Sequence, residues 1–335
     1  MPLPLILIGI AVATAVAGAS AGVGGVMDSR KAKALVDEAV STYQNAEGKL
    51  LRARELTTKA LDNLGGLKLK VWDQEMTRFR KLYAQLHPIE MINRVDVDAG
   101  RPPVTAVVLG EMEELSGHAS QLLVSGALGL GAGALAGVAA YGGAVTFAAA
   151  STGTAIATLG GAAATNATLA WFGGGSLAAG GLGMAGGTLV LGGLVAGPLI
   201  LVGGSVFAIM AHKNLAKAQA HHAEATKAAK EMRLIASALN GIRSVTTQFA
   251  EQTEAFRFRF AAVLNALDAQ IARSGTDYRQ YSSSERELVH LASLFAQTMR
   301  ALLETPYLTP DGALRKDYQP ALANAKRVLA SAGTA

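Results

Sequence analysis

The chain has 335 residues, with 30 Lys and Arg against 25 Asp and Glu, and no cysteine. The missing cysteine excludes a disulfide framework and thiolate chemistry. A net charge of +5 spread over this length is too dilute for a nucleic-acid binder and suits an anionic membrane surface. Charged residues make up only 16%, below the roughly 25% of a typical soluble domain, and mean hydropathy is +0.30; both values point toward membranes.

Residues 3–26 carry no charge. They lack the basic flank that precedes the apolar run of a signal peptide, and we read them as a membrane-associated or buried helix. Gly9, Ala13, Ala17, Ala21 and Gly25 recur every four residues, making a flat face on which a second helix can pack closely. Arg30, Lys31 and Lys33 follow and favour a cytoplasmic position for that flank.

Leu35, Val36, Ala39, Tyr43, Ala46, Leu50 and Leu61 follow a 3.6-residue period, which predicts one amphipathic helix over 28–64. Gly65-Gly66 marks a break. A second helix is expected from about Leu67 to Leu86, with Trp72 and Tyr83 as packing residues, ended or bent by Pro88. Residues 94–104, RVDVDAGRPPV, read as a loop from Gly100 and Pro102-Pro103, and helix resumes near Thr105.

From Leu115 to His212 there is no Asp, Glu, Lys or Arg. These 98 residues are long enough for several spans of about 20 residues. Ser125, Gly129, Gly133 and Gly137 form one four-residue series; Gly175, Ala179, Gly183 and Gly187 form a second; Gly193 and Gly197 repeat the interval. Glycine costs about 1 kcal/mol per site in a helix relative to alanine, and close approach of helix backbones explains why it recurs here. Ser151-Thr152-Gly153 and Trp171–Gly175 are candidate turns, and Pro198 a candidate kink. Charged flanks on one side of a bilayer require an even number of crossings; two and four both satisfy this.

Beyond His212 lies the clearest pattern. Met232, Ile235, Leu239, Ile242, Thr246, Phe249, Thr253, Phe256, Phe260, Val263 and Leu267 alternate intervals of three and four, a coiled-coil seam over five heptads. A helix over 213–271 would be roughly 90 Å long, with the 28–64 helix as its natural partner. Gly275 and Ser282–Ser284 interrupt it. Ser284 with Glu287 has the capping-box spacing, and Leu288, Leu291, Phe295, Met299 and Leu302 predict the next helix, ended by Pro306, Pro310 and Gly312. A last helix is expected over about 320–329.

Patterns that would carry chemistry are weak. Gly181-x-Gly183-x-x-Gly186 has no preceding strand and no acidic residue until Glu224, which argues against dinucleotide binding. His221 and His222 are adjacent, so they diverge on a helix and have no third ligand at a convincing spacing. Asp37-Glu38 and Glu113-Glu114 read as solvated faces rather than acid–base pairs. No polar constellation converges, so we expect no enzyme, no metal and no cofactor.

The order of amphipathic helix, glycine-rich apolar hairpin and long coiled-coil helix resembles, in layout, the α-helical pore-forming toxins of the cytolysin A and haemolysin BL type and apolipoprotein L with its bacterial relatives. The segment 162–181, AAATNATLAWFGGGSLAAGG, is similar to segments of bacterial glycine-zipper proteins. The resemblance implies a hairpin sheltered by helices in a soluble form and inserted into membrane on activation.

Together these readings predict an all-α protein whose long amphipathic helices form a coiled-coil stalk around a Gly/Ala-rich hydrophobic helical hairpin. Its parts are an apolar N-terminal helix (1–27), an amphipathic helical arm (28–114), a glycine-zipper membrane region (115–212), a long coiled-coil helix (213–273) and a C-terminal helical segment (274–335). The expected function is bilayer insertion and oligomerisation through the small-residue faces, forming a pore or perturbing the membrane. The alternative is a constitutive inner-membrane scaffold whose coiled coil recruits a protein partner. Either way the expected partners are a lipid bilayer and further copies of the chain, with no nucleic acid. The expected location is the cytoplasmic side of a bacterial inner membrane, with a soluble cytoplasmic form.

Overall fold

The structure is a computed structural model that describes residues 23–98, 102–124, 139, 215–309 and 313–331. The described residues are all-α: α1 (Val23–Val71), α2 (Thr77–Tyr83), α3 (Ile89–Asp98), α4 (Ala106–Val124), α5 (Leu215–Ser274), α6 (Ser283–Glu304) and α7 (Gln319–Ser331), with a π-turn at Trp72–Met76 and a 3-10 turn at Tyr278–Gln280.

Two long helices set the frame. α1 has 49 residues and α5 has 60, about 74 and 90 Å at 1.5 Å per residue. They pack along one another and run parallel. Glu38 meets His222, Thr57 meets Leu239, Lys68 meets Phe249 and Glu75 meets Arg257, so residue numbers climb together on both helices. Their periodic apolar residues form two separate cores. Tyr43, Ala46, Leu50 and Ala53 meet Ala228, Ala229, Met232, Ala236 and Leu239 in a narrow, alanine-rich arm. From Leu61 on α1 and Ile242 on α5, the same faces enter a larger head that also takes in α2, α3, α4, α6 and α7.

The head closes on aromatic rings. Phe256 of α5 lies 4.7 Å from Phe295 of α6, and Phe260 lies 6.0 Å from Phe79 of α2, centroid to centroid. α4 runs back against α1 and α2: Glu113 pairs with Arg80, while Ser120, further along, donates to Asp73. Between α1 and α2, the π-turn widens the helix by one residue per turn, and Thr77 Oγ1 donates to the carbonyl of Trp72 at 3.1 Å. It directs Asp73 to α4 and Gln74 and Glu75 to Arg257 of α5, at 3.0 and 2.8 Å.

Several expectations need correction. Gly65-Gly66 does not break the helix: α1 runs through it to Val71, and both glycines are buried. Burial of Leu61, Leu64, Leu69 and Val71 on either side outweighs the propensity cost, about 1 kcal/mol per glycine. The expected loop at 94–104 begins late, because α3 continues to Asp98; Ile92 and Asp96 are buried and hold that turn of helix in place. The charge-free stretch begins at Leu115. α4 crosses that boundary, and Leu115, Ser116 and Ala119 are buried in the head. The capping box of α6 is Ser282 with Glu285, two residues before the expected Ser284–Glu287 pair.

Candidate functional site

The described part of the apolar stretch beyond α4 touches the head at one place. In the last turns of α1, Lys68 is only 1% exposed. Its Nζ donates to the backbone carbonyl of Ala139 at 2.8 Å. The ammonium also lies 5.7 Å from the ring centroid of Phe249 and 5.9 Å from that of Tyr307. The two rings stack at 5.0 Å, and the Tyr307 hydroxyl is 3.1 Å from Thr246 Oγ1, which donates to the Ile242 carbonyl at 2.8 Å. α5 thus supplies one ring and the support of the other, and the segment after α6 supplies Tyr307.

Lys68 has no carboxylate partner among the described residues; a carbonyl and two π-faces surround its amine. Ring quadrupoles attract a cation, but burial still pushes the amine down to about 7. A group so placed stands between its charged and neutral forms near neutral pH. The contact itself is with a main-chain oxygen, so the head grips the stretch through an atom that any residue carries.

The expected seam on α5 faces inward. Met232, Leu239, Ile242, Phe249, Phe256, Phe260 and Leu267 are buried, while Ile235 and Val263 are half-buried and pack against the arm and head cores. Along 228–239 the seam meets α1. Beyond that it is also covered by α2, α6 and α7, which spacing on α5 alone does not specify. Trp72 and Tyr83 are buried in the head. His222 Nε2 stands 3.7 Å from Glu38 of α1, and His221 Nδ1 the same distance from Glu224. Of the small-residue positions, Gly25 lies in the first turn of α1. Gly9, Ala13, Ala17, Ala21, Ser125, Gly129, Gly133, Gly137, Gly175, Ala179, Gly183, Gly187, Gly193 and Gly197 lie outside the described residues, as do the candidate turns and Pro198.

A second polar cluster was not legible in the sequence. His290 of α6 lies 2.7 Å from Asp96 Oδ1 through Nδ1 and 2.7 Å from the Tyr278 hydroxyl through Nε2. Asp96 and Tyr278 are fully buried and His290 is 5% exposed. Nearby, burial raises the Tyr83 phenol well above its ordinary value, with Ser293 opposing the rise and Asp96 adding to it. The chain ties α3 and the 3-10 turn to α6 in a sealed interior, where it orients elements rather than meeting a substrate. The one sequence signal was an acidic residue between the valines of RVDVD, which periodicity treats as solvated. Among the described residues, no group of three His, Asp or Glu side chains gathers as metal ligands would.

At the C-terminal end of α5, Gly275 takes φ +75°, the left-handed conformation that ends many helices. Glu285 then receives Ser274, the Ser282 backbone N–H at 2.8 Å and the Ser282 hydroxyl at 2.8 Å. These donors, Ser274 first, hold its carboxyl at about 2.

Fold and contacts together define an all-helical head with a two-helix arm, in which a buried lysine meets the apolar stretch. Comparison with known proteins finds no matching family model, no matching curated protein and no matching solved structure.

Proposed function

We propose that this is a membrane-active helical protein: head and arm hold a glycine-rich apolar stretch that enters a lipid bilayer and oligomerises there, forming a pore or perturbing the membrane. The observation that supports this reading is topological. Because α1 and α5 run parallel, their N-terminal ends lie at the same end of the arm. The sequence entering α1 has no charge before Asp28, and the sequence entering α5 has none from Leu115 to His212. α4 runs antiparallel to α1, so its C-terminal end points back along α1. Charge-free sequence therefore adjoins both long helices at the N-terminal end of the arm.

No described helix is long and apolar enough to cross a membrane, so the insertion reading rests on residues 125–212. Glycine and alanine are only mildly apolar, which favours a stretch that tolerates both protein and lipid surroundings. The Lys68–Ala139 contact supports shelter of the stretch by the head.

The deciding experiment is carbonate extraction of membranes combined with dye release from liposomes by purified protein. A soluble form that releases dye supports insertion. Carbonate-resistant protein without leakage turns the reading to a constitutive scaffold, and protein that neither binds nor permeabilises liposomes rejects both. Replacing Gly129, Gly133 and Gly137 with leucine should abolish oligomers in membrane, and unchanged oligomers would remove the zipper from the account.

A further inference from the structure

The arm carries a groove whose charges are not matched. α1 contributes Lys49, Arg52, Ala53 and Leu56; α5 contributes Arg233, Ala236, Ser237, Asn240 and Arg243. The groove encloses about 460 Å³, within the roughly 300–1,000 Å³ of small-molecule sites. Its floor is narrow because Ala53 and Ala236 are buried there and add almost no bulk between the helices. Its rim carries four cations, and no acidic residue lines it.

Several arginines elsewhere are paired with carboxylates, although Arg54, Arg94 and Arg259 are not among the described residues. Arg78 meets Asp268, Arg80 meets Glu113, Arg257 meets Glu75, Arg300 meets Glu111 and Glu304, and Arg315 meets Asp317. Lys49, Arg52, Arg233 and Arg243 have no ion pair or hydrogen bond among the described residues. Like charges three apart on a helix and facing each other across a helix pair repel, so this cluster weakens the arm in the absence of an anion. In register, Thr57 lies beside Leu239, which places Arg52 level with Arg233 and Lys49 one turn away. Arg243 stands ten residues further along α5, about 15 Å at 1.5 Å per residue. Between these two charged places the groove offers Ser237 and Asn240 as hydrogen-bonding groups and Leu56, 39% exposed, as an apolar flank.

We infer that this groove binds a phosphate-bearing anion, with Lys49, Arg52 and Arg233 as the principal phosphate site and Arg243 as a secondary one. Guanidinium groups match phosphate oxygens in paired, planar geometry, and charge-assisted hydrogen bonds of this kind are about twice as strong as neutral ones. A free polyphosphate and the headgroup of an anionic phospholipid present the same chemistry. The inference does not depend on the insertion reading, because a soluble phosphate suffices to occupy the site.

The test uses the full chain and two probes: sodium tripolyphosphate followed by calorimetry, and phosphatidylcholine vesicles with and without phosphatidylglycerol followed by co-sedimentation. Three proteins are compared: wild type, the triple variant Lys49→Gln/Arg52→Gln/Arg233→Gln, and a control that removes the same charge elsewhere, Lys81→Gln/Lys316→Gln/Lys326→Gln. All six positions are exposed, so each variant should keep the wild-type circular dichroism. Tripolyphosphate binding that weakens at least tenfold in the triple variant and is kept by the control supports a phosphate site open to soluble ligands. Vesicle binding that needs phosphatidylglycerol and shows the same dependence, without tripolyphosphate binding, supports the site with a lipid headgroup as its ligand. Arg243→Gln alone should weaken whichever binding is seen by a smaller factor. Binding that is absent for both probes, unchanged in the triple variant, or equally reduced in the control overturns the inference. Vesicle binding unchanged in the triple variant leaves membrane activity standing while removing the groove from it.

Discussion

The ammonium of Lys68 and the carbonyl of Ala139, 2.8 Å apart, join two parts of the chain that differ most in chemistry. One end belongs to a charged amphipathic helix, the other to a stretch without a charge. The lysine is buried among rings, so its proton is held less tightly than in water.

This has a definite consequence for stability. Burial lowers the amine from its ordinary 10.5 to about 7, so between these values the unfolded chain binds more protons than the folded one. Stability therefore rises with pH across the window from 7 to 10.5 and gains nothing further from this group below it. Each tenfold change in proton affinity is worth about 1.4 kcal/mol, so the effect amounts to a few kcal/mol. Urea titrations at pH 7 and pH 10 should show wild type gaining stability with pH and Lys68→Met gaining much less. Equal pH dependence in the two proteins would show that Lys68 is not held in a dry site.

The arm and head have separate cores, and this predicts separable losses. Leu50 and Leu239 are buried in the arm core. Leu→Ala at such positions costs about 2–5 kcal/mol. Hydrogen exchange of Leu50→Ala or Leu239→Ala should accelerate at amides in 43–53 and 228–239 while those of α6 keep their protection. Uniform acceleration across the chain would mean that the two cores unfold as one unit.

Asp96 and His290 form a sealed pair, and removing one partner takes a buried hydrogen bond from the other. An unsatisfied buried polar group costs about 1–3 kcal/mol, more if charged. Asp96→Leu and His290→Phe should each destabilise the head by at least that much. The double variant should cost less than the sum, with a coupling of about 0.5–3 kcal/mol. Additive losses in urea denaturation would show that the 2.7 Å contact carries no net interaction.

The carboxylate of Glu285 joins the end of α5 to the start of α6. Its folded value near 2 lies below the ordinary 4.5, so the stability it contributes is present above 4.5 and is lost as pH falls toward 2. Glu285→Gln should lower the melting temperature at pH 7 and show a shallower loss between pH 4.5 and 2 than wild type. Melting curves for the two proteins that stay parallel through that range would remove the capping carboxylate from acid sensitivity.

Local patterns determined much of this protein. Intervals of three and four along 232–267 make α5 a helix with one apolar face, and the period in 35–61 does the same for α1, because a 3.6-residue repeat leaves a chain few other ways to bury those side chains. Proline and glycine punctuation placed the ends near Pro88, Gly275 and Pro306. Tertiary contacts decided the rest, each time by adding a burial energy that no short window contains. Gly65-Gly66 stays helical because it is packed, and the valines and acids of 94–98 form helix because Asp96 finds His290, 194 residues away. The capping box settles on Ser282 and Glu285 because Ser274, across the turn, donates to that carboxylate. The parallel register of α1 and α5 likewise lies beyond sequence spacing, since an apolar face specifies that a helix has a partner and not the direction in which that partner runs. That register puts Arg52 beside Arg233 and brings Lys68 of α1 to the ring of Phe249.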